Sequence, residues 1–317
     1  MMNPISRTIA LQALIVAVWS AATRADDLPT VVFEKKANDL LITVGSQLFA
    51  TYAVEDGPIK RPFFKHLHAP DGTQVTRNHP PDPRTDLADH PTFHPGLWLA
   101  FGDLNGADFW RNKDRIQQVG FVEGPRGGAG RGSFAVKNQY ESGARIVGTE
   151  IAHITISVRP AGYLLLWDSE FTAQDGDLTF GDQEEMGLGV RLATSLAVVK
   201  GGRITNSDGL KDEAQVWGKR ADWCAYAGTI KGSSAGVVLM PHPQNFRRSW
   251  FHARDYGLLV ANPFGRNAFT KGEKSMVVVR RGQSLRLRFG VLFFNGEPDL
   301  GAAYRDYLEQ ERVADRP

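Results

Sequence analysis

The chain has 317 residues, 42% of them hydrophobic, and a formal net charge of +2. That length and apolar content suffice for one large folded unit with a sizeable core, and the near-balanced charge excludes the basic footprint of a nucleic-acid partner. The single cysteine, Cys224, excludes an internal disulfide framework.

The first residues have the order of an export signal. Arg7 precedes an apolar run from Ile9 to Trp19, and Thr23-Arg24-Ala25 offers a cleavage site before Asp26. Residues 1–25 are therefore expected to be removed, leaving residues 26–317 as one domain in the periplasm or outside the cell. No later segment approaches the roughly 20 apolar residues of a membrane-spanning helix.

Period-two alternation recurs along the mature chain. Val31–Lys35, Leu40–Val44 and Leu48–Val54 open the series, and Ile116–Glu123 follows. Between Ile151 and Arg159, Ala152, Ile154, Ile156 and Val158 share a face, while His153, Thr155 and Ser157 take the other. Tyr163–Thr172, Gly236–Met240, Ser275–Arg280 and Ser284–Phe293 continue the pattern. The Gly-rich Gly124–Gly132 reads as a hairpin loop, and Cys224 as a packed strand residue. Only Leu300–Val313 reads as a helix. The fold expected is all-β: a large antiparallel β-sandwich with a short C-terminal helix.

One irregular stretch interrupts the strands. Pro70–Pro95 is too long for a hairpin turn and rich in Pro, Asp, His and Arg, a composition that points to function rather than connection. His66, His68, His79, His90 and His94 all fall in or beside it. His66 and His79 admit a surface or structural reading. His90 and His94 are candidates for proton transfer. Pro91 and Pro95 forbid the helix that would align them as metal ligands, so a metal on Asp89, His90 and His94 has weak support, and no cofactor is expected.

Two further segments carry chemistry. Read as a strand, Glu184–Leu192 sends Glu184, Met186, Leu188 and Val190 to the core and Glu185, Gly187, Gly189 and Arg191 to the other face. The glycines would form a floor for a ligand, beside Glu185 as catalytic carboxylate. In Ser249–Gly257, His252 could be a base oriented by Asp255. Trp98, Phe101, Trp110, Trp250 and Tyr256 could stack on sugar rings, although aromatics in a β-protein are more often core.

Arg61–His68, Thr76–Pro81, Asp89–Trp98, Gly102–Trp110 and Glu185–Arg191 together resemble the PmoA-like family of bacterial proteins. The family has carried the label of a methane oxygenase, which a chain without spanning helices does not fit. The resemblance implies a β-supersandwich of galactose-mutarotase type, with His and Glu side chains on a concave sheet. Many relatives carry adjacent histidines where this chain reads Thr92-Phe93-His94, which further weakens a two-histidine metal site.

Three functions follow as expectations. One is an enzyme doing acid–base chemistry on a sugar or glycoside, as hydrolase, lyase or epimerase. Its catalytic candidates are Glu185, His94, His90 and His252, and Arg77, Arg191, Trp98, Asn105, Trp110, Asp255 and Tyr256 would bind the carbohydrate. The alternatives are a non-catalytic carbohydrate-binding module and a metal-dependent enzyme. Protein recovered from the periplasm is expected to have the intact mass of a chain beginning at Asp26; a product that keeps residues before Ala25 would contradict export.

Overall fold

The computed structural model describes residues 28–314. The expected signal segment lies outside the described residues. The chain opens with β1 (Thr30–Lys36), β2 (Asp39–Val44) and β3 (Gln47–Ala53), joined by tight turns. The short β4 (Phe63–Lys65) and β5 (Leu97–Phe101) bracket the Pro-rich stretch. A meander of long strands follows: β6 (Arg115–Ala129), β7 (Arg131–Ser142), β8 (Arg145–Arg159) and β9 (Gly162–Thr172). Then come β10 (Leu178–Phe180), β11 (Met186–Arg191), β12 (Arg203–Asn206) and a one-turn helix, α1 (Asp212–Val216). The chain continues with β13 (Cys224–Ile230), β14 (Ser233–Pro241), β15 (Trp250–Arg254) and β16 (Leu258–Asn262). It ends with α2 (Arg266–Thr270), β17 (Val277–Val279), β18 (Ser284–Asn295) and α3 (Leu300–Ala314).

Sixteen strands pair in one sheet, ordered β12-β13-β14-β18-β9-β8-β7-β6-β1-β2-β3-β4-β5-β11-β16-β15, and β10 pairs with β17. The sheet folds back on itself. Phe49 of β3 meets Tyr163 of β9 at 5.4 Å between ring centroids, Phe64 of β4 meets Trp167 at 5.7 Å, and Phe101 of β5 meets Phe171 at 5.3 Å. These strands are far apart in the hydrogen-bonded order, so the rings touch across a sandwich. One buried apolar cluster fills it from Val31 to Phe293. The terminal helix α3 covers an outer face, where Ala303 and Tyr307 pack on Leu164, Leu166, Val238, Leu292 and Phe294. The architecture is therefore the expected all-β sandwich with a short C-terminal helix.

Three details differ from the sequence reading. The Gly-rich stretch is strand rather than loop: β6 runs to Ala129, and the turn is confined to Gly130. A Cβ at Gly127 would lie 2.1 Å from the Val31 carbonyl oxygen, so its glycine admits β1 alongside. The strand expected over Ser275–Arg280 shortens to β17, and the one-turn helices α1 and α2 carry no periodicity that so few residues could display. Cys224 is buried in β13, and burial raises its thiol pKa.

Among the described residues, Glu150 is a carboxyl group buried in the sandwich core. It accepts hydrogen bonds from Asn138 Nδ2 at 2.9 Å, from the Tyr140 hydroxyl at 3.1 Å and from the Ser169 hydroxyl. Burial raises its pKa although these donors oppose the shift. A carboxyl raised in the fold stabilises below its unfolded pKa, and that stability is lost as pH rises through the folded value. Glu150→Gln keeps the shape and removes the titration. Its melting temperature relative to the parent is expected to be lowest below pH 4 and to climb toward pH 7; a flat difference across that range would refute the linkage.

Candidate functional site

The register of the last four strands fixes what shares a face. Trp98 of β5 pairs with Gly189 of β11, Gly189 with Val260 of β16, and Val260 with His252 of β15. One step along, Arg191 pairs with Leu258 and Leu258 with Arg254. Trp98, Gly189, Arg191, His252 and Arg254 thus share the face opposite Met186, Leu188 and Val190, which are in the core.

The glycines do not leave an open floor. At Gly187, with φ of +109°, a Cβ would lie 2.2 Å from the Ala261 carbonyl oxygen. A Cβ on Gly189 would lie 2.8 Å from the Trp98 ring and 3.1 Å from that of Trp110. Gly187 admits a neighbouring backbone, and Gly189 seats two indoles. Trp98 is fully buried and Trp110 1% exposed.

The loop over this face is organised by three buried arginines. Arg77 donates from Nη1 to the carbonyls of Leu87 (2.9 Å) and Asp89 (2.7 Å), and from Nη2 to those of His90 (3.2 Å) and His94 (3.1 Å). Arg61 donates to the carbonyls of Phe93, Phe109 and Trp110 and to Asn112 Oδ1. Arg191 forks onto Asp89, with Nη1 2.8 Å from Oδ2 and Nη2 2.7 Å from Oδ1. Burial pushes Arg61 down to about 9, partly offset by Asp108, and burial together with Arg191 pushes Arg77 down to about 10. Both guanidiniums still carry charge at neutral pH. Arg77 and Arg191, expected to bind substrate, instead spend these donors on the protein.

Beneath the loop the rings form a column. His94 stacks on Trp98 (5.4 Å, 12°) and His90 on His94 (4.7 Å, 25°). Tyr256 stacks on His90 (5.8 Å, 20°), and the Arg191 guanidinium lies 4.6 Å from the Tyr256 ring centre. Burial, reinforced by His90, Arg191 and Arg61, holds the His94 imidazole well below its usual pKa, so it is neutral at pH 7. His90 is exposed, and its Nδ1 lies 3.0 Å from Asp89 Oδ2. As an imidazole beside a carboxylate it donates from Nδ1, which leaves Nε2 for proton exchange.

Glu185, His90, His94, His252, Trp110 and Tyr256 line one cavity of about 380 Å³. The sequence reading missed its remaining walls: Glu184, Glu213, Phe93, Arg111 and Arg254. Glu184 was assigned to the core, but β11 begins only at Met186, so strand alternation does not reach it. Its Oε2 accepts from Arg254 Nη2 at 3.0 Å, while Arg254 Nη1 meets Glu213 Oε1 at 2.7 Å. Arg111 Nη2 lies 2.7 Å from Glu185 Oε2.

His252 is not a free base. Its Nε2 accepts from Arg254 Nε at 2.9 Å, which makes Nδ1 the protonated nitrogen, 3.3 Å from the Glu184 carbonyl. Burial, then Arg254, pushes its pKa down to about 3. Its contact with Glu184 Oε2 at 3.5 Å is therefore not an ion pair at neutral pH. Asp255 does not orient it; that carboxylate accepts from the Glu213 backbone amide at 3.0 Å. Asn105 lies away from the cavity, in a turn bonded to Thr179 and the Asp177 carbonyl.

Ligand atoms of Asp89, His90 and His94 lie within 4.8 Å of one another. They fit a metal poorly. Arg191 occupies both Asp89 oxygens, and the stacked imidazoles keep their in-plane lone pairs in two planes tilted by only 25°, which suits convergence on one ion poorly.

The chain belongs to a family of unknown function, DUF6807, whose model matches residues 39–306. No curated protein matches it in sequence. Among solved structures it is similar to a galactose mutarotase related enzyme from Lactobacillus acidophilus, at 9% identity and a TM-score of 0.35, over 83% of this chain and 97% of that one. It is also similar to a galactose mutarotase-like protein from Lactobacillus casei, at 7% identity and a TM-score of 0.37, over 83% of this chain and 99% of that one. A galactose mutarotase-like protein from Clostridium acetobutylicum gives 7% identity and a TM-score of 0.35, over 84% and 95%. Similarity at this level identifies no activity, and the PmoA-like name appears in none of these descriptions. No helix among the described residues is long and apolar enough to cross a membrane.

The His252 shift predicts acid sensitivity. A histidine depressed in the fold contributes stability above its unfolded pKa near 6.5, and that contribution is lost as pH falls toward the folded value of about 3. Between pH 6.5 and 4 the loss is on the order of 3 kcal/mol. In denaturant titrations, His252→Gln is expected to lose correspondingly less stability than the parent over that interval; equal losses would contradict the shift.

Proposed function

We propose that this cleft binds a carbohydrate and performs acid–base chemistry on it, in a protein exported from the cytoplasm. The observation that carries the reading is one cavity in which aromatic rings adjoin three carboxylates, two guanidiniums and two imidazoles not bound to arginine. Sugars have apolar ring faces and hydroxyl edges, and such a wall meets both needs.

Glu185 is assigned as the proton acceptor. Arg111 holds one of its carboxylate oxygens, which fixes the side chain and leaves Oε1 for a sugar hydroxyl or a ring C–H. His90, backed by Asp89, is the partner that returns or supplies a proton. His94 and Trp98 support His90 from below, and His252 positions Arg254. An epimerase, lyase or hydrolase would each use such a pair. The second reading, a binding module without turnover, draws on the engagement of Arg111 and Arg254 by the cavity carboxylates.

One experiment separates them. Anomeric exchange, epimerisation and glycoside cleavage are followed by NMR over a panel of aldoses and aryl glycosides. Glu185→Gln is expected to lower turnover at least about a hundredfold, the lower end for general acid–base catalysis, with its melting temperature nearly unchanged. Saturable sugar binding with no turnover in the parent would favour the binding module.

A further inference from the structure

We infer that the cleft selects against anionic sugars, preferring amino sugars to neutral sugars and neutral sugars to uronates. The inference rests on the carbohydrate reading of the cleft. It follows from which polar atoms the protein has already used.

Glu184, Glu185 and Glu213 face the cavity against only two guanidiniums, those of Arg111 and Arg254. Arg254 spends every nitrogen on the protein: Nε on His252, Nη1 on Glu213 and Nη2 on Glu184. Arg111 is held by Asp108 at 3.1 Å and Glu185 at 2.7 Å. Behind the wall Arg191 is paired with Asp89, and Arg61 and Arg77, though charged, turn their N–H groups to backbone carbonyls and offer a ligand none of these donors. His94, buried and neutral, adds no charge.

The acceptors are in the opposite state. Glu184 and Glu185 each engage an arginine through Oε2, and their Oε1 atoms have no hydrogen-bond partner among the described residues. A ligand therefore meets spare carboxylate oxygens, to which hydroxyls donate well and an ammonium better. A uronate carboxylate would have to displace a glutamate from its arginine, stranding a charge, or lie beside like charge without a counter-ion.

The test measures affinity of the full mature chain for galactosamine, galactose and galacturonate, and for the corresponding gluco series, by calorimetry at low salt. Galactosamine is expected to bind at least tenfold more tightly than galacturonate, about 1.4 kcal/mol, with galactose between them. The gap should narrow in 0.5 M salt. It should also narrow at least threefold in Glu184→Gln, with Glu213→Gln as the second variant should the first fail to fold. Galacturonate binding as tightly as galactose or more so overturns the inference and leaves the carbohydrate reading standing. Binding of no sugar in either series overturns the carbohydrate reading and the inference with it.

Discussion

The site depends on a backbone that cannot satisfy itself. Between β4 and β5 the chain runs some thirty residues with little secondary structure, and Pro70, Pro80, Pro81, Pro83, Pro91 and Pro95 remove six amide donors from it. Part of it lies over the sheet face that carries Trp98, where the acceptors of Arg77 are buried or half-buried. A buried carbonyl left bare costs about 1–3 kcal/mol, and a folded protein's margin is only about 5–15 kcal/mol. Arg61 and Arg77 supply the missing donors. Each guanidinium offers five N–H groups in a planar fork, and together the two gather five carbonyls of this loop, with those of Phe109 and Trp110 from the segment after β5.

The clasp also sets the electrostatics. Three buried cations behind one wall need compensation, and the fork of Arg191 on Asp89 provides part of it while fixing the residue that orients His90. Burial, reinforced by His90, Arg191 and Arg61, holds His94 neutral. The loop can therefore present two stacked imidazoles without gathering two more positive charges. On the opposite wall the balance reverses, and glutamates outnumber arginines. Phe93, Trp110 and Tyr256 stand beside the charged groups, and the cavity is asymmetric in what it still offers: each guanidinium nitrogen of Arg254 is bonded to protein, while the Oε1 atoms of Glu184 and Glu185 have no partner among the described residues.

Much of this was legible in the sequence, and the rest was not for identifiable reasons. Strict alternation from Ser284 to Phe293 gave β18 and the face it turns to the sandwich core, but not the burial of its other face, where Leu292 and Phe294 lie under α3. Alternation also placed Gly189 and Arg191 together on the face opposite Met186, Leu188 and Val190. It could have added Arg254, two residues after His252 in β15. It misplaced Glu184, because periodicity does not say where a strand begins. It misread the glycines, because a missing side chain signals close approach without saying whether a ligand, a backbone or a tryptophan approaches. Arg77 and Arg191 looked like ligand-binding groups for the same reason. An arginine among prolines and histidines has the same composition whether its donors face a substrate or the chain itself. Glu213 sits on a one-turn helix with no pattern to read.

His252 shows why composition alone misassigns such sites. A histidine beside an arginine and a glutamate suggests a proton relay, yet its two nitrogens are fixed in opposite senses by Arg254 and by the Glu184 carbonyl. A carboxylate at that position would neutralise Arg254 and compete with Glu184 and Glu213 for it. A neutral imidazole accepts the Nε–H without adding charge, so the guanidinium stays available to both glutamates and holds them at a set separation. Placing His252 on β15, opposite Val260 in the register that also aligns Gly189 and Trp98, gives that acceptor the rigidity of the sheet. The side chains facing the ligand then need only the sheet and the arginine clasp to hold their geometry.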